Sequence, residues 1–412
     1  MHELTRGALA GERYRVIVST DIGGSDPDDF QSMVHYLLYA DLFDTEGLIS
    51  SPWGAGRASD ILAVIDVYKK DYPRLRTWSE RYPTPEYLRS ITRQGTVDFA
   101  PYRGYSTPTE GSEWIIRCAR RPDSRPLYLL MWGLLEDLAQ ALHDAPDIAE
   151  KLRVHYIGGP NKKWGPNAYA YIREHFPNLW MIENNSAYRG WFNGGDMSGC
   201  WGNDTFVRTH AAGHGALGDY FATHLGGVIK MGDTPTVAWL LRGTPEDPEQ
   251  ESWGGCFMPV KQMPACTLHH PVTADTPVEA FAVAELVFDA PGALPSDRPA
   301  FMLEVRGQEF EGFCTAPGEC RIRFVPKETG DFAYTVHSGL TQLDGQRGVL
   351  RALAENPLTR RDGPLTRWWS DDLSPETAEG PHAGARTVSL WRRDFLQDFA
   401  QRFDRCLSAR ND

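Results

Sequence analysis

Apolar and polar residues alternate over roughly the first 185 residues in a way that predicts short strands separated by helices. Residues 14–19 form a short β-branched run typical of a strand, and residues 30–40 carry apolar side chains at helical spacing. Repetition of this alternation predicts an α/β fold, an open and mostly parallel sheet with helices on both faces. The further predicted strands cover 46–50, 127–131, 154–157 and 179–182, and the further predicted helices cover 60–68, 134–142 and 169–175.

The pattern changes after about residue 275, where strand-like runs are separated by proline and glycine. These runs, at 277–288, 299–306, 320–326 and 331–338, predict a small Ig-like antiparallel β-sandwich. Residues 341–385 are rich in Pro, Gly, Arg and Asp and predict a long loop, whereas residues 387–406 predict an amphipathic helix. The expected domains are 1–274 for the α/β part, 275–340 for an inserted sandwich, and 341–412 for a loop and closing helix that pack back on the first domain.

Composition and charge exclude several classes of protein. The chain has 412 residues, of which 41% are hydrophobic and 24% are charged, the balance of a folded soluble protein. Its 55 acidic and 42 basic residues give a formal net charge of −13, which disfavours a nucleic-acid partner because no counterions would be released. No apolar run of about 18 residues predicts a membrane span. The N-terminal residues lack the apolar core of a signal peptide, so we expect a cytoplasmic location unless a leader was removed.

Seven cysteines are scattered along the chain and form no CxxC pair. In a chain without a recognisable leader, such an odd and scattered set predicts reduced thiols. Cys314 and Cys320 flank the segment T-A-P-G-E, and the sequence leaves open whether these two pair across a hairpin.

The densest polar signal lies directly after the first predicted strand, in the segment S-T-D-I-G-G-S-D-P-D-D at residues 19–29. Its four aspartates, at positions 21, 26, 28 and 29, would repel one another unless a cation neutralises them. Ligation by oxygen alone suits Ca²⁺ or Mg²⁺. The alternative is a solvated Asp-rich turn that caps the helix beginning near Phe30.

Polar and aromatic residues also follow the other predicted strands. Ligands of an open parallel sheet bind outside the carboxyl ends of the strands, so residues that follow different strands meet at one edge. Side chains of Asp, Asn, Glu and Trp bind cations and sugar hydroxyls, which predicts a site at this edge. The segments that follow the strands are S-S-P-W at 50–53, W-G at 132–133, G-G-P-N at 158–161 and E-N-N at 183–185.

With these motifs in place, residues 15 to about 260 resemble the inosine–uridine nucleoside hydrolase superfamily, and more closely its nucleoside-hydrolase-like branch in proteins described as cellulose-binding Sde182-like. The segment T-D-I-G-G-S-D-P-D-D is similar to the aspartate motif that opens the chain in this family. The resemblance implies that Asp21 and Asp29 bind Ca²⁺, ahead of Mg²⁺, and that Asp28 is the general base. The spacer between Asp21 and Asp28 is longer here, which leaves a role open for Asp26.

Two looser matches complete the implied metal site. L-L-M-W-G-L-L-E-D-L-A-Q-A-L resembles the segment whose backbone carbonyl ligates calcium, which implies the carbonyl of Trp132. K-M-G-D-T-P-T resembles the segment that supplies the last carboxylate ligand, which implies Asp233. Many nucleoside hydrolases have a histidine before this aspartate that serves the leaving base. Gly232 stands there in this chain, so the resemblance leaves nucleoside specificity open.

The implied substrate contacts come from three further segments. The family's Glu-x-Asn implies that Glu183 and Asn185 bind sugar hydroxyls, and the Gly-Gly strand end implies that Asn161 faces the sugar. Trp53 is a candidate for stacking on the sugar, although core packing fits it equally well. His214 is the candidate acid for the leaving group, with His210 and His224 as neighbouring alternatives, although a lone histidine is more often structural. The sequence alone does not show whether these four substrate-binding candidates and the candidate acid lie close together in the fold.

The resemblance implies a Ca²⁺-dependent hydrolase that cleaves an N- or O-glycosidic bond of a small or furanosyl sugar by direct attack of water, with inversion. The alternative is a non-catalytic carbohydrate-binding protein that retains the metal site. The expected partners are a small sugar, glycoside or nucleoside, with no nucleic acid and no membrane. The sequence leaves the oligomeric state open, although homodimers are common in the resembled family. The segment from 312 to 339 resembles the Ig-like modules that precede glycosidase barrels, and the closing helix resembles that of the Sde182-like branch.

Overall fold

The computed structural model describes residues 4–52 and 54–407, which form two eight-stranded sheets with helices around the first. The strands are β1 (Tyr14–Thr20), β2 (Phe43–Ser50), β3 (Thr92–Gln94), β4 (Leu127–Met131), β5 (Leu152–Ile157), β6 (Met181–Asn184), β7 (Phe257–Val260), β8 (Ala265–His269), β9 (Val278–Glu279), β10 (Val283–Asp289), β11 (Phe301–Val305), β12 (Gln308–Ala316), β13 (Glu319–Phe324), β14 (Gly330–Ser338), β15 (Arg347–Leu353) and β16 (Trp368–Asp371). The α-helices are α1 (Asp28–Leu38), α2 (Ala58–Trp78), α3 (Pro85–Ser90), α4 (Glu110–Ala119), α5 (Glu136–Asp144), α6 (Gly159–Trp164), α7 (Pro166–His175), α8 (Asn203–Phe206), α9 (Gly215–Thr223), α10 (Thr234–Leu241), α11 (Arg386–Ser389) and α12 (Arg392–Asp404).

The first sheet has the strand order β3-β2-β1-β4-β5-β6-β16-β7. Its neighbouring strands are parallel except for β16 and β7, which are antiparallel. From β1 the chain moves outward to β2 and β3, then returns to place β4 on the other side of β1. The winding therefore reverses between β1 and β4, the point at which open α/β sheets bind ligands.

The helices cover this sheet on both faces, as the sequence predicted. Every residue of β1 and β4 is buried, because a parallel sheet covered on both sides needs apolar residues throughout its central strands. One face packs against α1, α2, α9, α10 and α12, and the other against α4, α5 and α7. The expected open parallel sheet between two helical layers is confirmed.

The second sheet is mostly antiparallel, with the strand order β8-β10-β13-β12-β11-β14-β15-β9. Strand β12 belongs to two halves of this sheet, because Gln308–Gly312 pair with β11 whereas Phe313 and the residues after it pair with β13. A strand that changes partners in this way folds a sheet back on itself around its own core. That separate core contains Leu286, Phe288 and Val336, among others.

The second sheet is larger than the sandwich predicted over 275–340, and the long loop predicted over 341–385 is wrong in two places. Strand β15 closes the second sheet, and strand β16 inserts into the first sheet beside β6. Strand β15 buries only Leu350 and Ala352. The arginines and glycine between and before them hide this alternation of buried and exposed residues in the sequence. Strand β16 has just four residues, W-W-S-D, which are too few to show the alternation of side chains that identifies a strand. The division into three domains stays a prediction.

A disulfide joins Cys314 of β12 to Cys320 of β13, two residues that lie opposite each other in the register. The sequence leaves this pairing open, and the structure shows the two residues joined. The described structure leaves the other cysteines, at 118, 200, 256, 266 and 406, as free thiols.

The closing helix is split into α11 and α12, and its aromatic residues are core. Phe395 stacks on Trp191 with 3.7 Å between ring centroids, and Phe399 and Phe403 are fully buried in the same cluster. The sequence therefore placed this aromatic face correctly. Within the described part of the chain, no helix combines the length and the apolar character needed to cross a bilayer.

The buried histidine of α1 links stability to pH. His35 lies among the rings of Tyr39, Trp191 and Phe399, and burial together with the charge of Arg402 lowers its pKa to about 3. The unfolded chain binds a proton at this residue near pH 6.5 and the folded chain does not, so stability is lost as the pH falls below 6.5 toward 3.

We expect His35→Leu to remove this pH dependence. Between pH 7 and pH 5, the free energy of unfolding should fall by roughly 2 kcal/mol less in the variant than in the wild type, measured by urea unfolding at both pH values. His269→Leu, at an exposed position in β8, is the matched control and should follow the wild type. Identical pH dependence in wild type and His35→Leu would contradict this account.

Candidate functional site

The candidate site begins at the carboxyl ends of β1 and β4, where the winding reverses. Asp21 directly follows β1, and Trp132 directly follows β4 with its backbone N–H donating to the carbonyl of Ser19 at 2.7 Å. A Cβ atom on Gly133 would lie only 2.8 Å from the Cβ of Asp21. Glycine is therefore required at 133 for the two strand ends to approach this closely.

Two helix N-termini bring three carboxylates together beside this point. Helix α1 begins with Asp28 and Asp29, and Asp233 is the residue that precedes α10. Carboxylate oxygens of these three aspartates all lie within 4.8 Å of one another. The partial positive charge at each helix N-terminus favours acidic side chains in this position. The fold thus joins the acidic loop to the distant K-M-G-D-T-P-T segment.

Burial and mutual repulsion raise the pKa values of these carboxyl groups. Asp21, Asp28, Asp29 and Asp233 are each no more than 8% exposed. Burial, with the nearby charge of Asp28, raises the pKa of Asp21 to about 7. Burial and neighbouring aspartates raise the pKa values of the other three well above their usual range. A solvated turn is therefore the wrong description of this segment, and full ionisation of the cluster requires a nearby positive charge.

Neighbouring donors hold the carboxylates in place. The hydroxyl of Thr20 donates to Asp29, and the backbone N–H of Gly232 donates to Oδ2 of Asp28 at 2.9 Å. A Cβ atom at position 232 would lie 2.6 Å from that same oxygen. Glycine is therefore required at position 232, because any side chain there would displace Asp28.

Lys230 is a site residue that the sequence reasoning missed. Its ammonium group contacts the carboxylate of Asp26 and lies 3.8 Å from Oδ1 of Asp28. Gln31 holds the loop that carries it, donating to the carbonyl of Val228 at 2.9 Å and accepting from the N–H of Lys230 at 3.0 Å. The signal that could have found it is its position in the K-M-G-D segment, three residues before a predicted ligand.

Asp26 differs from the other aspartates of the segment because it is exposed. Burial acts against its charged form, but hydrogen bonds with Asp28 and Lys230 outweigh that effect and lower its pKa. Asp26 therefore provides a counter-charge for Lys230 at the rim of the site.

The side chain of Asn161 lies beside the predicted carbonyl ligand rather than in an open position. Its amide nitrogen donates to the carbonyl of Trp132 at 2.6 Å and to that of Ile157 at 2.9 Å. Both donors of Asn161 are thus used by the backbone, which speaks against direct binding of a sugar through them. The Trp132 carbonyl keeps a second lone pair for another partner, while the Trp132 indole N–H donates to Thr236 of α10 at 2.7 Å.

Glu183 is engaged by the protein itself. This fully buried carboxylate forms an ion pair with Lys162, which is also fully buried, and accepts from the hydroxyl of Tyr169 at 2.7 Å. It also accepts from the amide nitrogen of Asn185 at 2.8 Å. Three protein partners occupy Glu183, so the structure does not leave it facing a ligand as the resemblance implied. It fixes the orientation of Asn185 instead.

Several buried polar atoms at the same strand ends lack a hydrogen-bond partner among the described residues. They are Oγ of Ser51, the hydroxyl of Tyr156 and Oδ1 of Asn185. Ser51 meets Asp21 across Gly133, and Asn185 and Tyr156 both adjoin Gly158. Buried polar groups are normally satisfied, so a row of unsatisfied ones marks a place where a ligand can supply the missing bonds. Of these residues, only Asn185 was assigned a role from the sequence.

The structure does not bring His214 into this cluster. His214 lies 3.4 Å from Asp404 of α12 and 3.2 Å from the carbonyl of Ala212, so its described partners are not the clustered aspartates. Trp53 falls outside the described residues, and its role stays a prediction. Tyr188, by contrast, packs between Gly159 and Gly232 beside Asp28.

Comparisons with known proteins give a matching family model and solved structures that are similar to this chain. A family model described as "Cellulose-binding Sde182, nucleoside hydrolase-like domain" matches residues 15–257. A nucleoside hydrolase-related hypothetical protein from Saccharophagus degradans, associated with carbohydrate metabolism, is 20% identical with a TM-score of 0.52, over 83% of this chain and 100% of its own. An inosine–uridine preferring nucleoside hydrolase from Bacillus anthracis is 16% identical with a TM-score of 0.39, over 61% and 86%. No curated protein matches the chain.

The role of Lys230 as a counter-charge is testable by substitution. Because its ammonium group offsets the repulsion among the carboxylates, we expect Lys230→Met to lower the free energy of unfolding by about 1 kcal/mol at neutral pH, a small effect because the side chain is partly exposed. Lys230→Arg keeps the charge and is the matched control. Equal stability of the wild type and both variants, measured by urea unfolding in the presence of a chelator, would remove this role.

Proposed function

Because the chain belongs to the family of cellulose-binding Sde182 nucleoside hydrolase-like domains, we propose that it is a metal-dependent hydrolase that cleaves the glycosidic bond of a small or furanosyl sugar. The observation that carries the proposal is the convergence of Asp28, Asp29 and Asp233 within 4.8 Å at the reversal of the sheet. Burial and the charges of neighbouring aspartates raise the pKa values of all three, so their ionised forms destabilise the fold unless a cation is near.

The donor atoms present fit a hard divalent cation, and Ca²⁺ is the ion that we propose. Oxygen is the only ligand type in the cluster, and Ca²⁺ accepts six to eight oxygens in flexible geometry, whereas Mg²⁺ demands a regular octahedron. Asp29 and Asp233 are the proposed ligands within the cluster. Asp21, a hydrogen-bonding neighbour of Asp29, and the carbonyl of Trp132 are proposed to join them.

Asp28 is the residue of the cluster best suited to act as the general base. The N–H of Gly232 and the ammonium of Lys230 already contact its carboxylate, which sets it apart from the two proposed ligands. When bound, the cation would supply the positive charge that acidifies water and orients sugar hydroxyls. Oδ2 of Asp28 is held by the backbone, so Oδ1 is the atom that would accept the proton of the attacking water.

Other residues would bind the sugar and stabilise the transition state. The unsatisfied atoms of Ser51, Tyr156 and Asn185 would accept or donate hydrogen bonds to the hydroxyl groups. Positive charge develops on the sugar ring as the bond breaks, and the surrounding carboxylates would stabilise it. A single displacement by water inverts the anomeric carbon. Lys230 and Tyr188 are the donors beside Asp28 that we propose, in place of His214, for the leaving-group side.

A second function, binding of carbohydrate without hydrolysis, is favoured by one specific observation. The carboxylate of Glu183 is closed off by Lys162, Tyr169 and Asn185, so one expected contact to the substrate is lost. A protein of this kind would be stabilised by sugars but would release no product. The comparison that separates the two functions is hydrolysis of nucleosides and aryl glycosides with and without a chelator.

We expect Asp28→Asn to reduce kcat by about a thousandfold or more, because it removes the proton acceptor. The affinity for Ca²⁺ should change by only a few-fold, measured by isothermal titration calorimetry on the same preparation. Asp66→Asn, at an exposed position of α2 outside the site, is the matched control and should retain most of the activity. Full activity of Asp28→Asn on a substrate that the wild type cleaves would exclude Asp28 as the base.

Substitution of the proposed ligands should give the opposite pattern. We expect Ca²⁺ to raise the melting temperature of the wild type, because a ligand that binds only the folded state stabilises it. Asp29→Asn and Asp233→Asn should abolish most of this shift, whereas Asp28→Asn should retain it. A shift of the same size in all three variants would place the ion elsewhere.

A further inference from the structure

A cavity lies between the second sheet and the helices α5, α6 and α7 that cover the first sheet, away from the clustered aspartates. Its volume is about 100 Å³, several times the 10–15 Å³ that one water molecule requires. None of the four buried aspartates lines it. Helices α5, α6 and α7 contribute to its walls on one side and strands of the second sheet on the other, and the lining includes Glu136, Trp164, Asn167, Met302, Phe310 and Arg323.

Glu136, the first residue of α5, is the feature of this cavity that the fold does not explain. Its side chain is 4% exposed, and its carboxylate oxygens form no hydrogen bond of good geometry in the described structure, although the backbone N–H groups of Glu136, Ala100 and Leu135 lie near enough to offset part of the cost of burial. Leaving a buried carboxyl group unpaired costs about 1–3 kcal/mol or more. Burial raises the pKa of Glu136 to about 8, so at neutral pH the group is mostly a neutral acid that can both donate and accept a hydrogen bond.

The walls around Glu136 are fixed by contacts of helices α6 and α7 with the second sheet and with the segment that carries Ala100. Asn167 donates to the carbonyl of Ala100 at 3.1 Å and accepts from Arg323 of β13 at 3.3 Å. Trp164 of α6 stacks on Phe310 of β12, with 5.1 Å between ring centroids. The cavity is therefore preorganised, and a ligand that enters it need not order these side chains.

We propose that this cavity binds one sugar unit of a glycan. The carboxyl group of Glu136 would bond its hydroxyls, and the rings and Met302 would pack against its C–H groups, the combination of apolar faces and few polar groups typical of small-molecule sites. A metal ion is disfavoured in this cavity. Among the described residues, the three acidic side chains close enough to hold one ion together are Asp28, Asp29 and Asp233, which lie outside it. An anion is disfavoured by Glu309 and Glu311, which also line the cavity.

The test uses calorimetric titration with D-glucose and cellobiose, and co-sedimentation with insoluble cellulose, in the Asp28→Asn background so that hydrolysis does not intervene. We expect Glu136→Leu to weaken binding at least tenfold and Glu136→Gln to weaken it less, because the amide keeps hydrogen-bonding atoms. Glu113→Leu, at an exposed position of α4 outside the cavity, is the matched control. Binding of the soluble sugars would indicate a site for a free saccharide, and co-sedimentation with cellulose would indicate a site for a polysaccharide chain.

A second variant distinguishes a binding role of Glu136 from a purely structural one. Met302→Trp narrows the cavity from the other sheet without touching the carboxyl group and should also abolish binding. A change in melting temperature with unchanged binding in both variants would overturn the proposal, as would failure of the wild-type cavity to bind any of the three probes. Hydrolysis of small glycosides by Glu136→Leu is measured in parallel, so loss of the proposed hydrolase activity and loss of this site are distinguishable.

Discussion

Confinement of acidic side chains away from water, at the point where a parallel sheet reverses its winding, is the constraint on which the rest of the site depends. Two helix N-termini, the backbone N–H of Gly232 and the ammonium of Lys230 each offset part of the resulting repulsion. The glycines at 133 and 232 are required because the chain segments approach too closely for a side chain. The repulsion among the carboxylates that these groups do not offset is the basis for proposing a divalent cation.

The sequence predicted the fold of the first sheet well because its signals are local. Buried strands such as 127–131 and the amphipathic closing helix have periods that can be recognised without knowledge of the partners. Strand β16 and strand β15 escaped prediction, since the first is very short and the second carries arginines on its exposed face. Strand β16 is a strand because it pairs with β6, more than a hundred positions away, whereas β15 pairs with β14, the strand directly before it.

The site was only partly predictable for a similar reason. The aspartates stand out as a cluster in the sequence, whereas Lys162 is recognisable only through the carboxylate that it meets in space and Lys230 has only its position near a predicted ligand as a signal. Glu183 matches a family motif and yet is closed off by Lys162, a partner 21 residues away. A motif therefore identifies where chemistry collects, and the contacts decide which side chain of the motif remains free for a ligand.

The most direct measurement is a crystal structure of the protein grown with Mn²⁺, which prefers the same oxygen ligands as Ca²⁺ and Mg²⁺ and scatters anomalously. The account predicts an anomalous peak in ligand contact with the carboxylates of Asp29 and Asp233, with Asp28 facing it. A well-resolved structure without a peak there, or with the only strong peak at another place, would contradict the central claim.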